Sequence, residues 1–237
     1  MKTVSFHDFK VGRKASECLL ELDTAAQGIA LKPGLNLIVA PNGRGKTTFL
    51  QTLAGVLSPL QGVVKSDGER LLEPSRDLVY ISEYLTFPKF IYPSEWIEFT
   101  CGRPWKDVEP ELRPWILEFQ IDNKMNSFLG RMSQGERRKV TWLATHAACR
   151  PVALLDEPLD GLDIFGIRAA RRMVETWCQE GRILCVVAHQ VGELLDLSSE
   201  IFLIRGKRFV AWDSEIGVSA KTMGSDDFRK RTLEFYR

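Results

Sequence analysis

Short apolar runs alternate along this chain with polar segments, and three of the runs deliver chemically capable residues at their ends. Leu35 to Val39 leads into Ala40-Pro41-Asn42-Gly43-Arg44-Gly45-Lys46-Thr47-Thr48 and then Phe49-Leu50-Gln51-Thr52-Leu53-Ala54, a pattern that predicts strand, glycine-containing loop and helix. Val152 to Leu155 predicts a second strand, ending in Asp156-Glu157-Pro158, and Ile183 to Ala188 a third, ending at His189. Alternation of strand-like and helix-like segments from Val152 to about Phe209 predicts a mainly parallel sheet with flanking helices.

The remaining pattern fills in around that core. Residues 1 to about 30 read as an antiparallel, strand-rich edge, with a hairpin from Val11 to Glu21 whose register the sequence does not fix. Val63 to Ile81 reads as short strands separated by polar turns. Tyr84 to about Cys149 reads as helical and punctuated by proline, with Trp96 to Phe99 and Trp115 to Phe119 as amphipathic segments. A final hairpin near Gly206 to Trp212 precedes a charged helix through Phe228 to Tyr236, in which the sequence indicates no ligand site. The expected fold class is α/β: a P-loop NTPase core with a mainly parallel sheet, an antiparallel β edge and an inserted helical subdomain. One domain spans 1–237, its core formed by 1–83 and 150–237 and its helical part by 84–149.

Polyphosphate is held by inward-turned backbone N–H groups, a helix N-terminus, a lysine that reaches the terminal phosphates and a hydroxyl for Mg²⁺. Gly43, Gly45, Lys46 and Thr47 supply these in order, with Pro41, Asn42, Arg44 and Thr48 completing the loop. Ala40 stands where the usual spelling has glycine. It adds one methyl at a turn, which predicts a small backbone shift and a retained site. Downstream, a strand ending in Asp156 and Glu157 brings one carboxylate to Mg²⁺ and the next to an attacking water. Ser133-Gln134-Gly135-Glu136 precedes the basic run Arg137-Arg138-Lys139 and by itself reads as an N-capped helix.

In this order the pieces resemble the nucleotide-binding subunits of ATP-binding-cassette (ABC) transporters, over nearly the whole chain. Gly43 to Thr48 resembles the family's phosphate loop, Ser133 to Glu136 its signature sequence, Val152 to Glu157 its second nucleotide motif, Asp160 to Asp163 the loop that follows, and His189 the switch histidine. The resemblance implies ATP and Mg²⁺ as ligands, with Thr47, Asp156 and Glu83 at the metal and Lys46, Glu157, His189 and Glu83 in catalysis. It further implies a head-to-tail pair in which Ser133, Gln134, Gly135 and Asp163 of one subunit complete the nucleotide site of a second, identical or homologous one. A transmembrane permease subunit is expected to dock around Tyr84 to Trp105, with Tyr84 and Phe87 foremost. The compact cassette looks most like bacterial exporter subunits; a soluble ABC ATPase of the iron–sulfur cluster assembly type is the alternative.

Besides Ala40, further positions depart from the family pattern. Glu83 follows Leu78 to Ser82 where relatives carry glutamine; a carboxylate is still an oxygen ligand, but it adds negative charge near the γ-phosphate. Gln134 stands where glycine is frequent. Upstream, where relatives stack adenine on an aromatic residue, Phe6, Phe9 and Val11 are the available candidates, and each could equally be core.

Composition sets the outer bounds. With 237 residues and 44% hydrophobic content the chain can bury a substantial core. A net charge of +1 gives no electrostatic footprint for nucleic acid, and the Arg137-Arg138-Lys139 cluster reads as the exposed face of the helix that follows Ser133. The five cysteines lack a C-x-x-C pairing and read as reduced, mostly buried thiols of a cytosolic protein. No apolar run approaches the roughly 20 residues that span a bilayer, and the charged N-terminal ten residues do not resemble a signal peptide. The expected location is cytoplasmic, held to the inner face of the membrane by a separate membrane polypeptide.

Overall fold

The computed structural model describes residues 3–14, 17–67, 70–82, 86–188, 192–217, 219–220 and 223–236. Two sheets and nine α-helices are present among them, with three short 3-10 helices. The antiparallel sheet comprises β1 (Val4–Gly12), β2 (Cys18–Leu22), β3 (Ala30–Leu31), β5 (Gln61–Ser66) and β6 (Arg70–Leu71), in the order β2-β1-β5-β6 with β3 also on β1. The second sheet is built from β4 (Gly34–Val39), β7 (Leu78–Ile81), β8 (Val152–Asp156), β9 (Ile183–Val187), β10 (Ser198–Arg205) and β11 (Arg208–Ala211), ordered β11-β10-β4-β9-β8-β7. All its pairings are parallel except the β10–β11 hairpin.

Every residue of β4, β8 and β9 is buried. Such continuous apolar runs, without alternation, are what a parallel sheet covered on both faces requires. Asn36, in the middle of β4, is tolerated because its amide bonds Lys32, Gly34 and Leu184 carbonyls and accepts from the Lys32 N–H.

One face of this sheet packs against α7 (Ile164–Gln179) and the helices that lie between β7 and β8 in sequence: α4 (Pro93–Cys101), α5 (Trp105–Glu118) and α6 (Gln134–Ala148). The other face, with α2 (Lys46–Leu53), meets the antiparallel sheet. The short helices α1 (Thr24–Gln27), α3 (Pro74–Asp77) and α8 (Trp212–Ile216) serve as connectors, and α9 (Ser225–Phe235) closes the described chain. Pro93 opens α4 and Pro104 precedes α5, as punctuation should. Pro110 and Pro114 lie inside α5 nevertheless.

The predicted hairpin is the β1–β2 pair. Its register was illegible for a physical reason. Val4 and Phe6 face inward at even positions, Phe9 and Val11 at odd ones, because a bulge at Asp8, φ 48°, shifts the side-chain parity. Gly62 lies opposite, where a Cβ would collide with the Asp8 carbonyl.

Among the cysteines, all free, Cys101 and Cys185 are buried and Cys149 is exposed. Burial pushes the Cys178 thiol up to about 11, and the Glu175 charge adds to it.

Candidate functional site

Where β4 ends, the chain turns through Ala40 to Gly45 and enters α2 at Lys46. Gly43 and Gly45 hold φ values of 79° and 88°, a left-handed backbone that admits glycine freely and a β-carbon only with strain. At Gly45 a Cβ would also come 3.0 Å from that of Leu19. Ala40 is not among the positive-φ residues, and its methyl sits in the core, which explains why alanine suffices there.

Lys46 is buried. Its ammonium donates to the carbonyls of Ala40, at 2.5 Å, and Pro41, at 3.3 Å, and so lies folded along the inside of the loop. From the next residue, the Thr47 hydroxyl donates to Asp156 Oδ1 at 3.3 Å, and the Tyr80 hydroxyl reaches Asp156 Oδ2 at 3.4 Å. Asp156 is 1% exposed, so these polar contacts compensate for a carboxylate taken out of water. Thr47 and Asp156 together offer hard oxygen donors of the kind that suit a small divalent cation bound with help from phosphate oxygens. No cluster of three or more His, Cys, Asp or Glu side chains able to hold a metal by itself occurs among the described residues.

Glu157 has φ 45°, unusual for a side chain of this size, and its N–H donates to the Val187 carbonyl on the neighbouring strand. A strained backbone fixed by a cross-strand bond is a feature enriched at active sites. The side chain lines a cleft of about 550 Å³ with Asn42, Gly43, Gly45, Lys46, Thr47 and Thr48, closed on another side by Arg13, Glu17 and Leu19 of the first hairpin. Phe6, Phe9 and Val11 do not reach it: all three are core residues. No aromatic side chain lines the cleft among the described residues.

Ser133, Gln134, Gly135 and Asp163 lie away from this cleft, at the N-termini of α6 and α7. Ser133 caps α6: its hydroxyl oxygen accepts from the Glu136 N–H while Glu136 Oε2 accepts from the Ser133 N–H, at 2.7 Å. Burial raises the Glu136 pKa, but the Ser133 N–H and the Lys124 ammonium outweigh it and hold it below the ordinary value. Asp163 caps α7 through Oδ1, 2.7 Å from the Gly166 N–H, and accepts from the Lys139 ammonium through Oδ2 at 2.8 Å. Its carboxylate is thus committed within its own chain. Burial pushes that carboxyl up, and the Lys139 and Gly166 bonds bring it down below the usual range.

The basic run after the signature is not a solvated face, as the sequence had implied. Gly135, Arg138, Lys139 and Trp142 fall at i, i+3, i+4 and i+7 of α6, and this stripe grips residues that follow β7 and β8. Lys139 holds Asp163, the Trp142 indole donates to the Pro158 carbonyl at 3.2 Å, and Arg138 donates to the Ser82 carbonyl at 3.1 Å.

Glu83, Tyr84 and His189 lie outside the described residues. Within the aromatic region, Phe87 packs on Trp96 at 5.1 Å, whereas Phe90 and Phe99 are each 81% exposed. A residue that sequence reasoning missed is Tyr236, whose hydroxyl bonds the end of β4 just before the loop begins.

The ABC transporter family model matches residues 31–160, more than half of the chain. The chain belongs to the ABC transporter family. It is 24% identical over 168 residues to an uncharacterised ABC transporter ATP-binding protein of Methanocaldococcus jannaschii, covering 71% of this chain and 62% of that protein. Identity is 27% to an aliphatic sulfonates import ATP-binding protein of Bacillus cereus, over 72% and 68% of the two chains. It is 28% to a cytochrome c biogenesis ATP-binding export protein of Cupriavidus metallidurans, over 73% and 87%. A solved ATP-binding subunit of an ABC transporter superposes with a TM-score of 0.81 at 19% identity, covering 98% of this chain and all of that one. Within the family the chain is a nucleotide-binding subunit of the ABC type.

Proposed function

We propose that this ABC family member hydrolyses ATP in the cleft beside Lys46 and transmits the change to a membrane-embedded partner. The observation that carries the reading is convergence: Thr47, in the first turn of α2, and Asp156, at the end of β8, approach to 3.3 Å, and Glu157 lines the same cleft as the loop from Asn42 to Thr48. In this reading Pro41 to Thr48, Arg44 included, wrap the phosphates, the N–H groups of Asn42 to Thr48 acting as donors, and Lys46 exchanges the Ala40 and Pro41 carbonyls for phosphate oxygens. Thr47 and Asp156, with Glu83, hold Mg²⁺, which when bound neutralises charge on the phosphates. Glu157 orients the attacking water and accepts its proton, and His189 contacts the γ-phosphate.

Ser133, Gln134, Gly135 and Asp163 belong in this reading to the site of a second, head-to-tail subunit. The α6 N-terminus, capped by Ser133, directs its positive end toward that subunit's γ-phosphate. Hydrolysis removes the ligand shared by the two halves and opens the pair. The membrane partner docks on the aromatic region, where exposed Phe90 and Phe99 offer more contact area than Phe87. No helix among the described residues is long and apolar enough to cross a membrane, which fits a separate membrane polypeptide. The relatives' names favour a transport role over a soluble cluster-assembly role, and they include both an import and an export protein. The protein then sits at the cytoplasmic face, bound through its partner.

The test is equilibrium titration with Mg-ATP followed by single-turnover hydrolysis. Lys46→Ala should abolish binding. Glu157→Gln should bind within a few-fold of wild type, slow hydrolysis by about a hundredfold or more and lengthen the life of an ATP-bound dimer. Undiminished turnover in Glu157→Gln would remove the assignment.

A further inference from the structure

Parallel strands β4 and β10 pair up to Leu203 and Val39, and beyond that point β4 bends away into the phosphate loop. The hydroxyl of Tyr236, just after α9, fills the gap this bend creates. It donates to the Val39 carbonyl at 2.9 Å and accepts from the Ile204 N–H at 2.8 Å, so one side-chain oxygen replaces a rung of the ladder. The ring packs against both hydrophobic cores, and α9 is seated by Phe228 stacked on Trp212 at 4.4 Å and by Arg205 over Phe235 at 4.9 Å.

The placement matters because of what happens one residue later. Ala40 and Pro41 carbonyls are held by Lys46, which must release them to meet a phosphate. The Val39 carbonyl is held instead by Tyr236 and not by Lys46. We propose that Tyr236 is a positioning residue of the nucleotide site: its hydroxyl fixes the strand end from which the phosphate loop springs, so that the loop N–H groups converge when Lys46 lets go. The inference rests on the nucleotide reading above. Burial raises the pKa of the phenol, with the Ile204 N–H and the Arg44 charge pulling the other way, so the hydroxyl stays protonated as a donor at neutral pH.

Tyr236→Phe tests this, because the ring that packs on both cores is kept and only the bridging oxygen goes. The expected result is a Kd for Mg-ATP and Mg-ADP raised about fivefold, with kcat at saturation within twofold of wild type and the Ile204 amide losing protection from hydrogen exchange. Phe228→Leu is the control: it loosens the same helix, should lower Tm at least as much and should leave Kd within twofold. A Tyr236→Phe protein with unchanged Kd, or a Kd that tracks Tm equally in both variants, makes the residue a structural peg only and overturns the inference. Failure of the wild-type protein to bind either nucleotide is a different result and removes the nucleotide reading itself.

Discussion

Gly135 and Gly161 touch through their backbones: a Cβ on Gly135 would lie 2.5 Å from the Gly161 carbonyl oxygen. The signature glycine is therefore required by its own chain, independently of any phosphate in a partner subunit. Gly135→Ala should push the Asp160 to Asp163 loop outward and cost about 1–3 kcal/mol, as overpacking against rigid backbone does. Thermal unfolding of the isolated subunit checks this; a Tm equal to wild type would show that the loop yields freely.

The carboxylates at Glu83 and Glu157 should not be equivalent. Glu157 is fixed in a left-handed conformation at a strand end and lines the cleft, which suits a group that acts on the reacting water. Glu83→Gln restores the neutral oxygen donor that relatives carry, so it should change turnover by less than Glu157→Gln. Steady-state ATPase assays of the two variants give the ranking, and a reversed order would count against both assignments.

His146 makes the fold acid-sensitive. Its Nδ1 accepts from the Trp177 indole at 2.9 Å, so the neutral ring is the form the packing needs. Burial lowers its pKa below the ordinary 6.5, and the Arg182 charge lowers it further. The unfolded chain thus binds this proton more readily than the folded one. Stability from this group is present above about pH 6.5 and is lost as pH falls through the depressed value. His146→Gln should flatten the decline in Tm between pH 7.5 and 5; an unaltered slope would assign the acid response to other groups.

What the sequence disclosed was local. The phosphate loop and the Asp156-Glu157 strand end are legible because their chemistry needs residues adjacent in the chain, and the continuous apolar runs of β4, β8 and β9 declare a parallel sheet. Contacts between distant residues left no such mark. Tyr236 meets Val39 across 197 positions, and nothing near either residue signals it. Arg138 and Lys139 looked like a solvated face because charge outweighs spacing in a short basic run; only the i, i+3, i+4, i+7 relation to Gly135 and Trp142 identifies the stripe. Phe6 lies in the core, and the Asp8 bulge turns Phe9 and Val11 inward with it, so none of the three reaches the cleft as a base platform.

The Lys139 and Asp163 pair should act as a clip between α6 and α7 of modest strength. Lys139 is 7% exposed and its partner 56%, so solvent screens one end of the bond and discounts the Coulomb gain. Asp163→Asn keeps an oxygen for the Gly166 N–H and removes the ion pair, whereas Asp163→Ala removes both. The alanine variant should therefore be the less stable of the two by about 1 kcal/mol, the value of a lost helix cap. A double-mutant cycle with Lys139→Met should return a coupling of about 0.5–1 kcal/mol that shrinks in high salt. Because Asp163 titrates below the usual 3.8, its contribution is fully present above that value and fades as pH drops through the lowered one. Denaturant midpoints at neutral pH and at pH 3 measure the loss. A coupling near zero at neutral pH and low salt would mean that the cap alone ties these helices together.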